Sequence, residues 1–348
     1  MSRKSEAKRS VHAADARLSG ARATRAQRKA NAKGFIDWCF VNGHLFNSIA
    51  DASAEMVRQY LVVAQTTNGG CTVATLHNKL AAIRKTMSAL GANPTERGVT
   101  AKNLDLPSRP RKGTKEPVTD EVFENAVARA TELGELGFVI ALKLERFLGL
   151  RGLEALMSVS ALKEYAVEAS RLVAGEIQPI SIFSGTKGGR SRDTVVILDH
   201  ARETLATIRD ALAFAAGNRG VLLRGKTLGL KSARALYHRL AQKVGLTGVY
   251  SPHSLRYRFC CDKIIEMHRA GLSRTEALAR AAAYLGHGPS RGRFVSLVYG
   301  RSVVHLLPVT RQKNGLIQNA REVQDLMDRL LPMAVQSSDC PLPPPSRI

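Results

Sequence analysis

SPHSLRYRFCCDKIIEMHRAGLSRTEALARAAAYLGHGPSRGRFVSLVYG, residues 251–300, carries His253 and Arg256 three positions apart, then His287, then Tyr299. Ser251 followed by Pro252 reads as a helix start, with a capping hydroxyl and a proline whose missing N–H costs nothing there. His253 and Arg256 then share one face of the first turns. The N-terminus of that helix favours an anion. Ser273 with Glu276 is a capping box that opens a second helix, and Gly286 stops it just before His287. A cation pair at a helix start, a histidine at a helix end and a tyrosine soon after outline a pocket for a phosphate. Taken alone, an H-x-x-R on a basic helix is more often a surface patch.

Two upstream segments add to it. LGLRGLEALMS, residues 148–158, places Arg151 after an apolar run and Glu154 three residues on. ISIFSGTKGGRSRDTVVIL, residues 180–198, is two β-prone runs around a Gly-rich turn with Lys187. The series Arg151, Lys187, His253, Arg256, His287, Tyr299 resembles the tyrosine recombinases, the phage-integrase type of site-specific DNA recombinase, over residues of roughly 20 to 310. The resemblance implies a mainly α fold with a small β-sheet, made of an N-terminal all-helical core-binding domain and a mixed α/β catalytic domain. It also implies double-stranded DNA as partner, a tetramer on that DNA, and a place for accessory DNA-bending proteins. The spacer from Arg256 to His287 is longer than the family's, as is the one from His287 to Tyr299. Tyr257 and Tyr284 are the neighbouring alternatives for the tyrosine.

Composition bounds the reading independently. The chain has 348 residues, enough for two domains with tails. Its net charge of +23 calls for a polyanion, nucleic acid or an anionic membrane surface. The basic residues sit on many elements instead of one amphipathic face, which disfavours a membrane role. No apolar run reaches the eighteen or more residues of a membrane span, and the basic N-terminus lacks the apolar core of a signal peptide. The five cysteines show no C-x-x-C spacing and read as free thiols in a reducing compartment. A cytoplasmic, nucleoid-associated protein of bacterial or phage origin is expected.

Residues 1–33 hold ten Lys or Arg and two acids. They read as a flexible basic arm over 1–20 that turns helical near Ala21. In the helical domain, residues 21–100, Phe35, Trp38 and Cys39 point inward while Arg25, Arg28 and Lys29 stay wet. A helix from Thr72 to Gly91 carries Lys79, Arg84 and Lys85 outside its apolar stripe. Residues 101–117 contain three prolines and five basic residues, a linker in which Arg111 and Lys112 can meet a phosphate backbone. The catalytic domain is assigned to 118–310. Residues 161–175 read as helix where the family has a strand. Arg190 and Arg192 flank the Lys187 turn as further DNA contacts. An amphipathic helix over 316–331, within 311–334, suits a subunit contact, and the Pro-rich tail 335–348 suits disorder.

The chemistry follows from the residue types. Charge gathers on the equatorial oxygens of a phosphodiester under attack. Guanidinium groups stabilise it through bidentate bonds, which makes Arg151 and Arg256 the clamp. His253 and His287 add donors, and His253 can move the nucleophile's proton. Tyr299 is the nucleophile, and Lys187 the general acid for the leaving sugar oxygen. The resemblance assigns Glu154 to bracing Arg151 and gives a 3′-phosphotyrosyl link with a free 5′-hydroxyl. A covalent link conserves the bond energy, so neither cofactor nor metal is expected. The expected activity is integration or excision of a mobile element. The alternatives are a type IB topoisomerase and a DNA-binding protein that kept the fold and lost the activity.

Overall fold

The computed structural model describes residues 2–67, 69–110, 113–169, 179–227 and 229–307. The chain divides into two units, 1–111 and 112–348.

The first unit is four helices: α1 (Arg3–Arg17), α2 (Arg22–Val41), α3 (Ala54–Thr66) and α4 (Val73–Ala89). Ser53 and Thr72 cap α3 and α4 through side-chain oxygens that accept backbone N–H groups. Phe35, Ile36, Leu76, Ile83 and Met87 are fully buried together. The expected flexible arm is a correction here. Residues 3–17 form a Ser2-capped helix that buries Ala7, Val11 and Ala14, packed on α2 and α4. That stripe has helical spacing, but alanines give it little hydrophobic contrast among so many cations.

Asp15 explains a second difference. It is buried, and Arg25, Arg28 and Lys29 all pair with it at 2.9, 2.9 and 3.3 Å. A buried carboxylate needs paired charge, and these cations hold Asp15 far below the usual carboxylate range. Arg28 is therefore buried and spent inside the fold, not wet as the sequence suggested. Lys79 bonds the Tyr60 hydroxyl at 2.9 Å and lies 5.1 Å from its ring centroid, whereas Lys85 is exposed. Leu104 and Leu106 pack into this unit's core, which takes up the start of the expected linker. Arg111 and Lys112 lie outside the described residues.

The second unit runs α5 (Asp120–Glu132), α6 (Leu136–Leu148), α7 (Gly152–Met157), α8 (Val159–Ala169), β1 (Ile180–Ile182), β2 (Arg192–Thr194), α9 (Ala201–Gly217), α10 (Leu230–Lys243), α11 (His253–Arg269), α12 (Arg274–Tyr284) and α13 (Gly292–Leu297). The described residues are mainly helical, with a small two-stranded sheet. Helix α6 is buried from Gly137 to Leu142 and again from Leu144 to Leu148, against α9 and α11. The strands pair antiparallel, with Ile180 opposite Thr194 and Ile182 opposite Arg192. The helix read at 161–175 is present as α8 as far as Ala169. The Ser273–Glu276 capping box opens α12. The helix expected over 316–331 and the tail after it lie outside the described residues.

Candidate active site

The site forms where two helix C-termini meet the start of a third helix. Helix α6 ends on Gly149 in the left-handed region (φ 59°), and a Cβ there would sit 2.3 Å from the Phe259 ring. Glycine is required by both conformation and space. Helix α12 ends at Leu285. The last carbonyls of a helix lack intrahelical partners and carry partial negative charge, and three guanidinium groups satisfy them here. Gly149 O accepts from Arg192 Nη2 at 3.1 Å and from Arg256 Nη1. Leu285 O accepts from Arg151 Nη2 at 3.2 Å and from Arg256 Nη2. Tyr284 O accepts from Arg192 Nη1.

Glu154 sits among these cations with its side chain fully buried. It accepts from the Arg151 backbone N–H at 2.8 Å, from Arg151 Nη1, and from Arg192 Nη2 at 2.7 Å. Burial pushes its pKa up, but the bond and charge of Arg192, with Arg256 and the Arg151 backbone, bring it down to about 2. Glu154 is ionised at neutral pH. Burial, then Arg192 and Arg151, lower Arg256 to about 9, which still leaves it charged at pH 7. Its Nε is buried without a hydrogen-bond partner among the described residues.

The Tyr299 hydroxyl lies 3.1 Å from Nε2 of His253 and 3.3 Å from Nε2 of His287. A phenol has one proton, so Tyr299 donates to at most one imidazole and the other donates to it. Burial first, then Arg256 and Arg151, lower both histidines to about 4. Both are neutral at pH 7, and one can take a proton. The Arg256 guanidinium carbon is 5.9 Å from the Tyr299 ring centroid. The tyrosine ring is walled by Tyr257, His253, His287 and Phe294, with Tyr257 nearest at 4.5 Å between centroids. The residues added between His287 and Tyr299 include the short helix α13, which returns Tyr299 to the histidines.

Arg151, Glu154, His253, Arg256, His287 and Tyr299 are thus brought together. Lys187 is not bonded into that cluster. It stands exposed on the β1–β2 turn, at the rim of a cleft of about 480 Å³ whose lining includes Arg151 and His253. A second cleft of about 690 Å³ meets the first at Arg151 and Lys187 and reaches Arg190, Arg192 and His287. Lys187 also contributes to the lowering of the His287 pKa. Arg190 is exposed. Arg192 is a correction: read from sequence as a DNA contact, it is buried and committed to Glu154 and two carbonyls. The strand register places it opposite Ile182, on the inward side of the hairpin. Strand alternation between Arg190 and Arg192 gave no hint of this, because both fall on one face. Tyr284 contributes its carbonyl to this site, while Tyr257 packs on Tyr299. Among the described residues, no cluster of His, Cys, Asp or Glu is able to hold a metal ion.

Residues 106–262 match the family model described as integrase. This segment is similar to the integrase family. The match takes in Arg151, Lys187, His253 and Arg256 and stops before His287 and Tyr299. No curated protein matches the sequence. Solved structures similar to the chain include the XerH site-specific recombinase bound to its difH substrate in a pre-cleavage complex, at 16% identity over 82% of this chain and 80% of that one, with a TM-score of 0.49. The Tn1549 transposon integrase in complex with transposon right-end DNA is 12% identical over 93% and 99%, with a TM-score of 0.49. The XerA recombinase is 14% identical over 91% and 97%, with a TM-score of 0.34.

Proposed function

We propose that the protein is a site-specific DNA recombinase that cuts and rejoins duplex DNA through a phosphotyrosine link. The observation that carries this reading is one phenol held between two neutral imidazoles beside a buried arginine cluster. Tyr299 Oη attacks the scissile phosphorus, forming a P–O(Tyr) bond and breaking the bond to the 5′ sugar oxygen. The phenol proton passes to His253 or His287. Arg151 and Arg256 hold the phosphoryl oxygens, and removing one such donor typically costs roughly 10²- to 10³-fold in rate. Lys187, on its exposed Gly-rich turn at the cleft rim, protonates the leaving oxygen. A 5′-hydroxyl then reverses the same steps to rejoin the strands.

The net charge of +23 favours duplex DNA as partner. Recombination joins two duplexes and calls for more than one copy of the chain, and the reading takes the assembly as a tetramer serving a mobile element. No helix among the described residues is long and apolar enough to cross a membrane.

The test uses two duplex pools of randomised sequence carrying different labels, incubated with the full chain and enriched over rounds for molecules bearing both. Recovery of exchanged products sharing a common core sequence is expected. Relaxation of supercoiled DNA with no exchanged product would favour the topoisomerase alternative.

A further inference from the structure

Arg301 lies two residues past Tyr299, outside the phosphate-binding cluster, and its guanidinium does not face that cluster. Nη1 donates to Gly113 O at 2.6 Å, and Nη2 donates to Lys115 O at 3.1 Å and to the Glu116 carboxylate. On the other side of Tyr299, Leu297 O accepts from the Gly113 backbone N–H at 3.3 Å. The nucleophile segment is therefore tied to residues 113–116 both before and after the tyrosine.

The contact between these ties is close. A Cβ at Gly113 would meet Val298 O at 2.8 Å, Tyr257 Oη at 3.0 Å and Val298 Cα at 3.1 Å. Any side chain there would push the strand of chain away from the residue that precedes Tyr299, or displace Tyr257, the ring packed 4.5 Å from that of Tyr299. The same short segment is fastened at the base of α11, which begins with His253. The Glu116 N–H donates to Val249 O at 3.2 Å, the Val118 N–H to Ser254 O at 3.3 Å, and Lys115 Nζ to Gly248 O at 2.5 Å. One stretch of backbone thus touches the elements that carry the phenol and one of its two imidazole partners.

We propose that Arg301 is a positioning residue, which locks residues 113–116 as a strap beneath Tyr299 and so fixes where the phenol stands relative to His253. The strap is the first described stretch of this unit. An exposed ion pair with Glu116 alone contributes little. Here the guanidinium also satisfies two carbonyls, and it is the combination that sets the backbone. The proposal rests on Tyr299 as the nucleophile for its effect on rate but not for the contact itself.

The test places 3-fluorotyrosine at position 299 of the full chain and reads its fluorine resonance, with covalent capture of nicked randomised duplexes as a second readout. The wild type is expected to give one resonance. Arg301→Ala should shift or split it, and the milder Glu116→Gln, which keeps an acceptor oxygen and removes only the charge, should move it less. Arg301→Lys keeps the charge but cannot reach three acceptors at once, and should restore it in part. Arg301→Ala should slow covalent capture by up to about 10²-fold, the cost of a displacement on the order of 1 Å, with DNA affinity unchanged. An unchanged resonance in both Arg301→Ala and Glu116→Gln overturns the strap. If the wild type captures no DNA, the recombinase reading fails, and the resonance still decides the strap.

Discussion

Nη2 of Arg192 lies 2.7 Å from Oε2 of Glu154, and the two side chains are 4% and 0% exposed. A cation beside a surface turn has become part of the site's foundation, and the carboxylate between Arg151, Arg192 and Arg256 is what allows three guanidinium groups to sit together.

Glu154→Gln keeps the shape and removes the charge. Breaking a buried pair by neutralising one partner typically costs about 3–5 kcal/mol, and that loss should appear as a lower denaturant midpoint. Arg192→Lys should also destabilise, since one ammonium cannot serve Glu154, Gly149 O and Tyr284 O in the directions a planar fork does.

The lowered histidines give a pH signature. His253 and His287 stay neutral in the folded protein down to about pH 4, whereas the unfolded chain takes up those protons near pH 6.5. Between these values the unfolded state binds more protons, so stability falls as pH falls from about 6.5 toward 4. Thermal unfolding from pH 7.5 to 4.5 should show this decline, reduced in His253→Gln with His287→Gln. Inorganic sulfate or DNA, bringing an anion to the cluster, should raise both pKa values as read from imidazole proton shifts; shifts that stay put would argue against anion binding there.

The structure sorts the basic residues into spent and available. Lys85→Ala and Arg190→Ala, both exposed, should each lower the slope of log affinity against log salt by about 0.9 if each neutralises one phosphate. Arg28→Ala should leave that slope alone and destabilise the first unit, because it strips a partner from buried Asp15. Filter binding across salt concentrations, beside unfolding curves, separates the two behaviours.

Much of this was legible in the sequence because local chemistry fixed it: the Thr72 cap, the Ser273–Glu276 capping box, and the Gly-rich turn between two β-prone runs. Of the six site residues read in order, Arg151, His253, Arg256, His287 and Tyr299 converge from near the ends of their elements, whereas Lys187 stays apart on its exposed turn. What the sequence hid was ownership of charge. Nothing local told that Arg28 answers Asp15 thirteen residues earlier, or that Arg192 on the hairpin answers Glu154 on α7, because both pairings exist only once helices and strands pack. Helix α1 was hidden by its alanines, which bury well and signal weakly.

The central claim is tested most directly by the residue to which DNA becomes attached. The full chain is incubated, in chelator and without nucleotide, with a pool of nicked randomised duplexes whose freed fragment diffuses away. Denatured adducts are then digested and the modified peptide sequenced. The account predicts a phosphodiester on Tyr299, and none with Tyr299→Phe, which keeps the ring and loses only the oxygen. An adduct on Tyr257 or Tyr284, or one that persists in Tyr299→Phe, would contradict it.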